Sequence, residues 1–196
     1  MGSKTLIRRW YLIGAMALGV APVGAGCGPA EEVEDPSSER QIGGLTDAEV
    51  AAVAQAINDT QVELGRVALE RVDMEVVRRF VQRVVDQHTR AQTELGQLLN
   101  ELTIQPADHD LVQQVRSEAM RERSRLDLTP RGGLFDRAYI DGQLQLLNSY
   151  LRLLNNRLVE SATIPEYSQV LERLQDDIND RFNEALQIRD SGAVPH

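Results

Sequence analysis

One cysteine, one tryptophan and three histidines among 196 residues leave few side chains for covalent or metal chemistry. With Cys27 alone, no internal disulfide can form. Aromatic residues make up 4% of the chain, which excludes a ring-built core and leaves it to leucine, valine and alanine. No stretch alternates apolar and polar residues in the strand pattern, so the reading is all-α. Positive charge is also scarce. Outside residues 1–26 there are 18 basic against 30 acidic side chains, a net of −12. So acidic a body repels phosphates, and nucleic acid is excluded as a partner.

The basic residues of the N-terminus, Lys4, Arg8 and Arg9, precede an apolar run over residues 10–20. Small residues and then Cys27 follow. The run is too short for a membrane span and has the layout of an export signal. Val23-Gly24-Ala25-Gly26-Cys27 resembles a bacterial lipobox, although Gly24 stands where leucine is common. The resemblance implies lipidation at Cys27, removal of residues 1–26 and attachment to the membrane through that cysteine. Gly28 in the next position implies the outer membrane. Arg8-Arg9 also resembles a twin-arginine export signal, and the route stays open. Residues 27–44 are acidic and rich in Pro, Ser and Gly, and read as a disordered tether. As a flexible chain it spans on the order of 20–25 Å.

The folded part is expected over residues 45–190, with 191–196 as a tail. Thr46 and Glu49 form a capping box, and Leu45 with Val50 has staple spacing. The first helix is expected to end near Arg71, and Asp73 to cap the second. On that second helix Val77, Val81, Val84, His88, Ala91, Leu95, Leu98 and Leu102 draw one apolar stripe, a run of roughly 40 Å over 74–102. Residues 107–133 carry a shorter amphipathic piece with Leu111, Val112, Val115 and Met120, which reads as a crossover. A long helix follows from Leu134 to about Glu160, with Ile140, Leu144, Leu147, Leu151, Leu154 and Leu158 on one face. Thr163 and Glu166 suggest a second capping box before a last helix carrying Tyr167, Leu171, Leu174, Ile178, Phe182 and Ala185. Two hairpins joined by a long connection make a ferritin-like antiparallel four-helix bundle with a short crossover helix.

Glu63-Leu64-Gly65 with Ala68, Val84-Val85-Asp86-Gln87-His88-Thr89 and Phe135-Asp136-Arg137-Ala138-Tyr139 resemble a family of predicted bacterial exported proteins. These are outer-membrane-type lipoproteins with a ferritin-like domain of unassigned function. Members commonly have Glu where this chain has Gln61, Asp where it has Gln87, and a second histidine where it has Leu147. If the family pattern is a metal site, the resemblance implies that His88 is the one ligand kept here.

A ferritin-like di-metal centre needs Glu-x-x-His twice. Val85, Pro106 and Ala193 precede His88, His109 and His196 by three, so the element is absent. Glu63, Asp86, Asp136 and Asp141 are expected on solvated faces. His88 is expected to be a buried imidazole bonded to Gln61, Gln143 or Tyr139, a residual polar site. Alternatively it is a lone ligand to a metal or haem, or a pH-sensitive switch. No nucleophile motif or phosphate loop accompanies it. The expectation is a non-enzymatic, lipid-anchored envelope module without cofactor, facing the periplasm or the surface, with an envelope protein as partner. The alternative is a metal- or redox-linked periplasmic protein using His88.

Overall fold

The computed structural model describes residues 44–194. Cys27, the signal-like segment and the tether up to residue 43 lie outside the described residues. Within them all regular structure is helical. Five helices follow in order: α1 (Asp47–Leu69), α2 (Glu75–Glu101), α3 (Asp110–Leu128), α4 (Gly133–Leu153) and α5 (Pro165–Asp190). A π turn, Leu154–Leu158, and a last α turn, Val159–Ser161, extend α4. Leu154 and Leu158 are both fully buried there.

The first capping box forms as its spacing predicts. The Thr46 N–H donates to Glu49 Oε2 at 2.8 Å and the Glu49 N–H to Thr46 Oγ1 at 3.3 Å. The first of these bonds holds the Glu49 carboxyl below its usual range. Leu45 and Val50, the staple pair, are both buried. On the α2 stripe Val77, Val81, Val84, His88 and Leu95 are buried, while Ala91 and Leu98 are half-buried.

Long-range bonds fix the directions of the helices. The N-terminus of α1 lies beside both the α2–α3 and α4–α5 loops. There the Ala107 N–H donates to the Ala48 carbonyl at 2.9 Å, and the Leu45 N–H to Ser161 Oγ at 3.2 Å. The α1–α2 turn lies beside the start of α4, because the Asp73 N–H reaches Asp136. Thus α2 and α4 run the same way, and α3, which follows α2 in the chain, runs back to the start of α4. The expected short crossover is a 19-residue helix. It packs against both α1 and α4, burying Val112, Val115, Ala119 and Leu126. Met120 faces out at 68% exposure, because the buried face passes through Ala119 one position away.

Two small residues set helix approach. A Cβ at Gly65 on α1 would meet Val85 Cγ2 at 2.5 Å. A Cβ at Gly142 on α4 would meet Glu122 Oε1 of α3 at 1.8 Å. The Glu122 carboxylate is held there by Arg125, at 2.6 and 2.8 Å, and Arg125 also donates to the Ala138 carbonyl. Burial still pushes the Glu122 carboxyl up.

At the helix ends two expectations fail. Asp73 does not cap α2; the cap residue is Met74, with no side-chain bond of its own. The Thr163–Glu166 box does not form. Thr163 bonds instead to the Asp47 carboxylate, its N–H at 2.9 Å, and α5 starts at Pro165 after Ile164. The segment after α5 is tied down at Val194, which is 1% exposed.

At the end of α2, Thr103 takes φ 58°. Its N–H donates to the Asn100 carbonyl at 3.2 Å and the Ile104 N–H to the Leu99 carbonyl at 2.9 Å, a Schellman arrangement. A β-branched residue is strained there, whereas glycine is at ease. Thr103→Gly is therefore expected to raise the unfolding free energy by about 1 kcal/mol. Urea denaturation measures it, and an unchanged or lower midpoint would contradict the strain.

Candidate functional site

His88 occupies the middle of the α2 stripe and is 1% exposed. Its Nδ1 lies 2.8 Å from Oδ1 of Asn58 on α1, also 1% exposed. The partner is none of the three expected, Gln61, Gln143 or Tyr139. With the amide oxygen facing the ring, Nδ1 carries the proton and donates. Nε2 is then an acceptor, buried without a partner. Burial first, and the Arg181 charge second, push the His88 pKa down to about 4. The ring is neutral at pH 7.

Gln61, Tyr139 and Gln143 are buried as well, at no more than 1% exposure. Asn58 and Gln61 stand one turn apart on α1, and Tyr139 and Gln143 one turn apart on α4. Both Gln61 side-chain polar atoms, the Tyr139 hydroxyl and Gln143 Oε1 have no hydrogen-bond partner. Tyr139 instead meets Phe80 of α2 edge-on, with ring centroids 6.4 Å apart. Burial raises its pKa, so the phenol stays protonated. Beside this set, the Tyr150 hydroxyl lies 3.2 Å from Thr60 Oγ1, and burial raises Tyr150 to about 12. The interior therefore carries a belt of neutral amides, hydroxyls and one imidazole.

Asn58 is the residue that the sequence reading missed. A signal existed: it lies four residues after Ala54 and three before Gln61, within the helical spacing of the buried face.

The acids went elsewhere. Glu63 is exposed, 3.6 Å from Arg123. Asp86 is exposed and accepts from Gln82 at 2.9 Å. Asp141 is half-buried beside Arg137 at 3.2 Å. Asp136 overturns its expectation of a solvated face, being 0% exposed. Its Oδ1 accepts from the Asp73 N–H at 3.1 Å and its Oδ2 from the Met74 N–H at 2.8 Å. Helix α2 is thus capped by a carboxylate 62 residues away. Burial raises the Asp136 pKa, and the two backbone donors oppose it.

The Phe-Asp-x-x-Tyr element as a whole braces this end. The Arg71 guanidinium stacks 4.4 Å over the Phe135 ring and donates to the Leu126 and Thr129 carbonyls. Arg78 donates to the Leu69 carbonyl at 2.9 Å and also to that of Val72.

Among the described residues no three His, Cys, Asp or Glu side chains are grouped so as to hold a metal ion. A di-metal centre needs inward carboxylates, and amides stand in the belt instead. The donor set does not fit one. No described helix is long and apolar enough to cross a membrane. The profile of one protein family, described as Domain of unknown function (DUF4142), matches residues 32–188. No curated protein and no solved structure matches the chain.

Proposed function

The chain belongs to the DUF4142 family, and from that premise we propose that it is a non-enzymatic, lipid-anchored module of the bacterial cell envelope. In this reading Cys27 holds it to the outer membrane, facing the periplasm or the surface. The tether carries a ferritin-like bundle, with a degenerate site, that braces or binds an envelope protein. The arrangement of α2 and α4 in one direction, with α3 running back to the start of α4, supports the ferritin-like assignment. The observation that carries the non-enzymatic reading is the neutral belt. Where such a bundle would point carboxylates inward, this chain has Asn58, Gln61 and Gln143. Glu63, Glu122, Asp141 and Asp136 are occupied by Arg123, Arg125, Arg137 and the N-terminus of α2.

One observation favours the second reading, a metal- or redox-linked protein. His88 Nε2 is a buried acceptor with nothing to accept from. A single neutral imidazole gives a metal one ligand and no charge compensation. Metal content of protein purified without chelator separates the readings. Stoichiometric metal in the wild type, lost in His88→Gln at unchanged melting temperature, would establish the second.

The anchor has its own test. Two or more acyl chains hold a protein stably at a bilayer. Cys27→Ala is expected to move the protein wholly to the soluble periplasmic fraction or to leave it unprocessed. Mass spectrometry of the mature wild type should show acyl chains on Cys27. An unmodified thiol there would end this reading.

A further inference from the structure

A cleft of about 170 Å³ opens between α2 and α5, with α1 as its floor. Ala54, Leu95, Leu171 and Leu174 line its apolar part, each no more than 4% exposed. The room exists because the floor and one wall carry alanines, Ala54 and Ala91. One interior polar group, the Asn58 amide, reaches it. Asn58 Oδ1 accepts from His88 Nδ1, which leaves the Asn58 amide N–H groups directed away from the ring. Gln87 also lines the cleft, but its Oε1 is closed off from it, with no accessible surface. At the mouth stand Arg90 and Arg173 with Glu94 and Asp177, and Arg173 is paired with Glu94. Two charges of each sign leave no net field to attract an ion.

We propose that this cleft is a binding site for a small neutral molecule with an apolar body and a hydroxyl head. The hydroxyl oxygen accepts from the Asn58 amide, and its proton goes to water at the mouth. The size argues for the class, because an apolar protein cavity of about 150 Å³ takes a benzene-sized guest. The interior argues for neutrality, since a charged head would lose its hydration and meet no counter-charge. Asn58 argues for an oxygen in the head, because its amide N–H groups have no acceptor at the cleft. The site is distinct from the belt and shares with it only Asn58, so the inference stands whether or not Cys27 is lipidated.

Phenol is the probe that matches this description, with benzene and benzoate as its uncapped and charged counterparts. Each is titrated into the full chain in detergent and followed by NMR at the side-chain amides of Asn58 and Gln87 and the His88 ring. Saturable shifts at all three groups are expected with phenol, and binding at least about tenfold weaker with benzoate. Benzene, which offers Asn58 no oxygen, should bind about fivefold more weakly than phenol, the usual worth of one neutral hydrogen bond. Ala91→Leu fills the cleft from its half-exposed side and should abolish both, with melting at or above the wild type. No saturable shift, benzoate binding as tight as phenol, or phenol binding unchanged in Ala91→Leu would each overturn the proposal.

Discussion

Acidification from pH 7 to 4 is expected to destabilise the wild-type chain by about 3 kcal/mol more than the His88→Gln variant. The folded state holds His88 neutral, with its pKa pushed down to about 4 from the ordinary 6.5. Below 6.5 the unfolded chain binds a proton at this ring and the folded chain does not. Stability is therefore lost as pH falls through 6.5, and the loss levels off near pH 4. The gap of about two and a half units at 1.36 kcal/mol each gives the figure. Gln at position 88 has an amide that can still donate to Asn58 Oδ1 but carries no titrating group. Carboxylates such as Glu122 and Asp136 titrate in both proteins and cancel in the comparison. Urea denaturation of both at pH 7, 5.5 and 4 reads the effect. The difference between the two stability profiles should shift by about 3 kcal/mol in favour of the variant as the pH drops. Parallel profiles would mean that the ring is solvated, against its 1% exposure.

Asp136→Ala is expected to cost about 3 kcal/mol, the largest loss from a single side chain outside the apolar core. The substitution leaves the Asp73 and Met74 N–H groups without their acceptors and removes an anion from the positive end of α2. Asp136→Asn keeps one acceptor oxygen and should cost about half as much. Burial already works against the charged form of Asp136, so the hydrogen bonds rather than the charge carry most of the effect. Hydrogen exchange supplies the local readout. The Asp73 and Met74 amides should exchange faster in the Ala variant, while amides of α5 change only with global stability. An Ala variant within about 0.5 kcal/mol of the wild type, the range of an ordinary surface change, would refute the capping role.

Much of the fold was legible because its signals are local. The Thr46–Glu49 box closes within four residues, and it formed. The stripe on α2 and the leucine ladder on α4 follow from a 3.6-residue period that any helix must obey. Burial of His88 was readable from the same stripe. Its partner was not. Pairing residue 58 with residue 88 depends on how far α1 slides and rotates against α2, and Gly65 lets those helices come close. Spacing within one helix carries no information about that register.

The ends show the same divide from the other side. Thr163 and Glu166 have the local pattern of a capping box, yet Asp47, 116 residues away, takes Thr163. Asp73 stands where a cap is expected, yet Asp136 caps α2 from another helix. In both cases a nearby signal lost to a partner that only folding brings within reach. Sequence alone determined that this chain is helical, acidic and without an internal disulfide, and where its long helices lie. Tertiary structure alone decided what α3 packs against, which carboxylates are buried, and which amide holds the central histidine. Helical period is set by neighbours in the chain, whereas those contacts are set by the relative placement of whole helices.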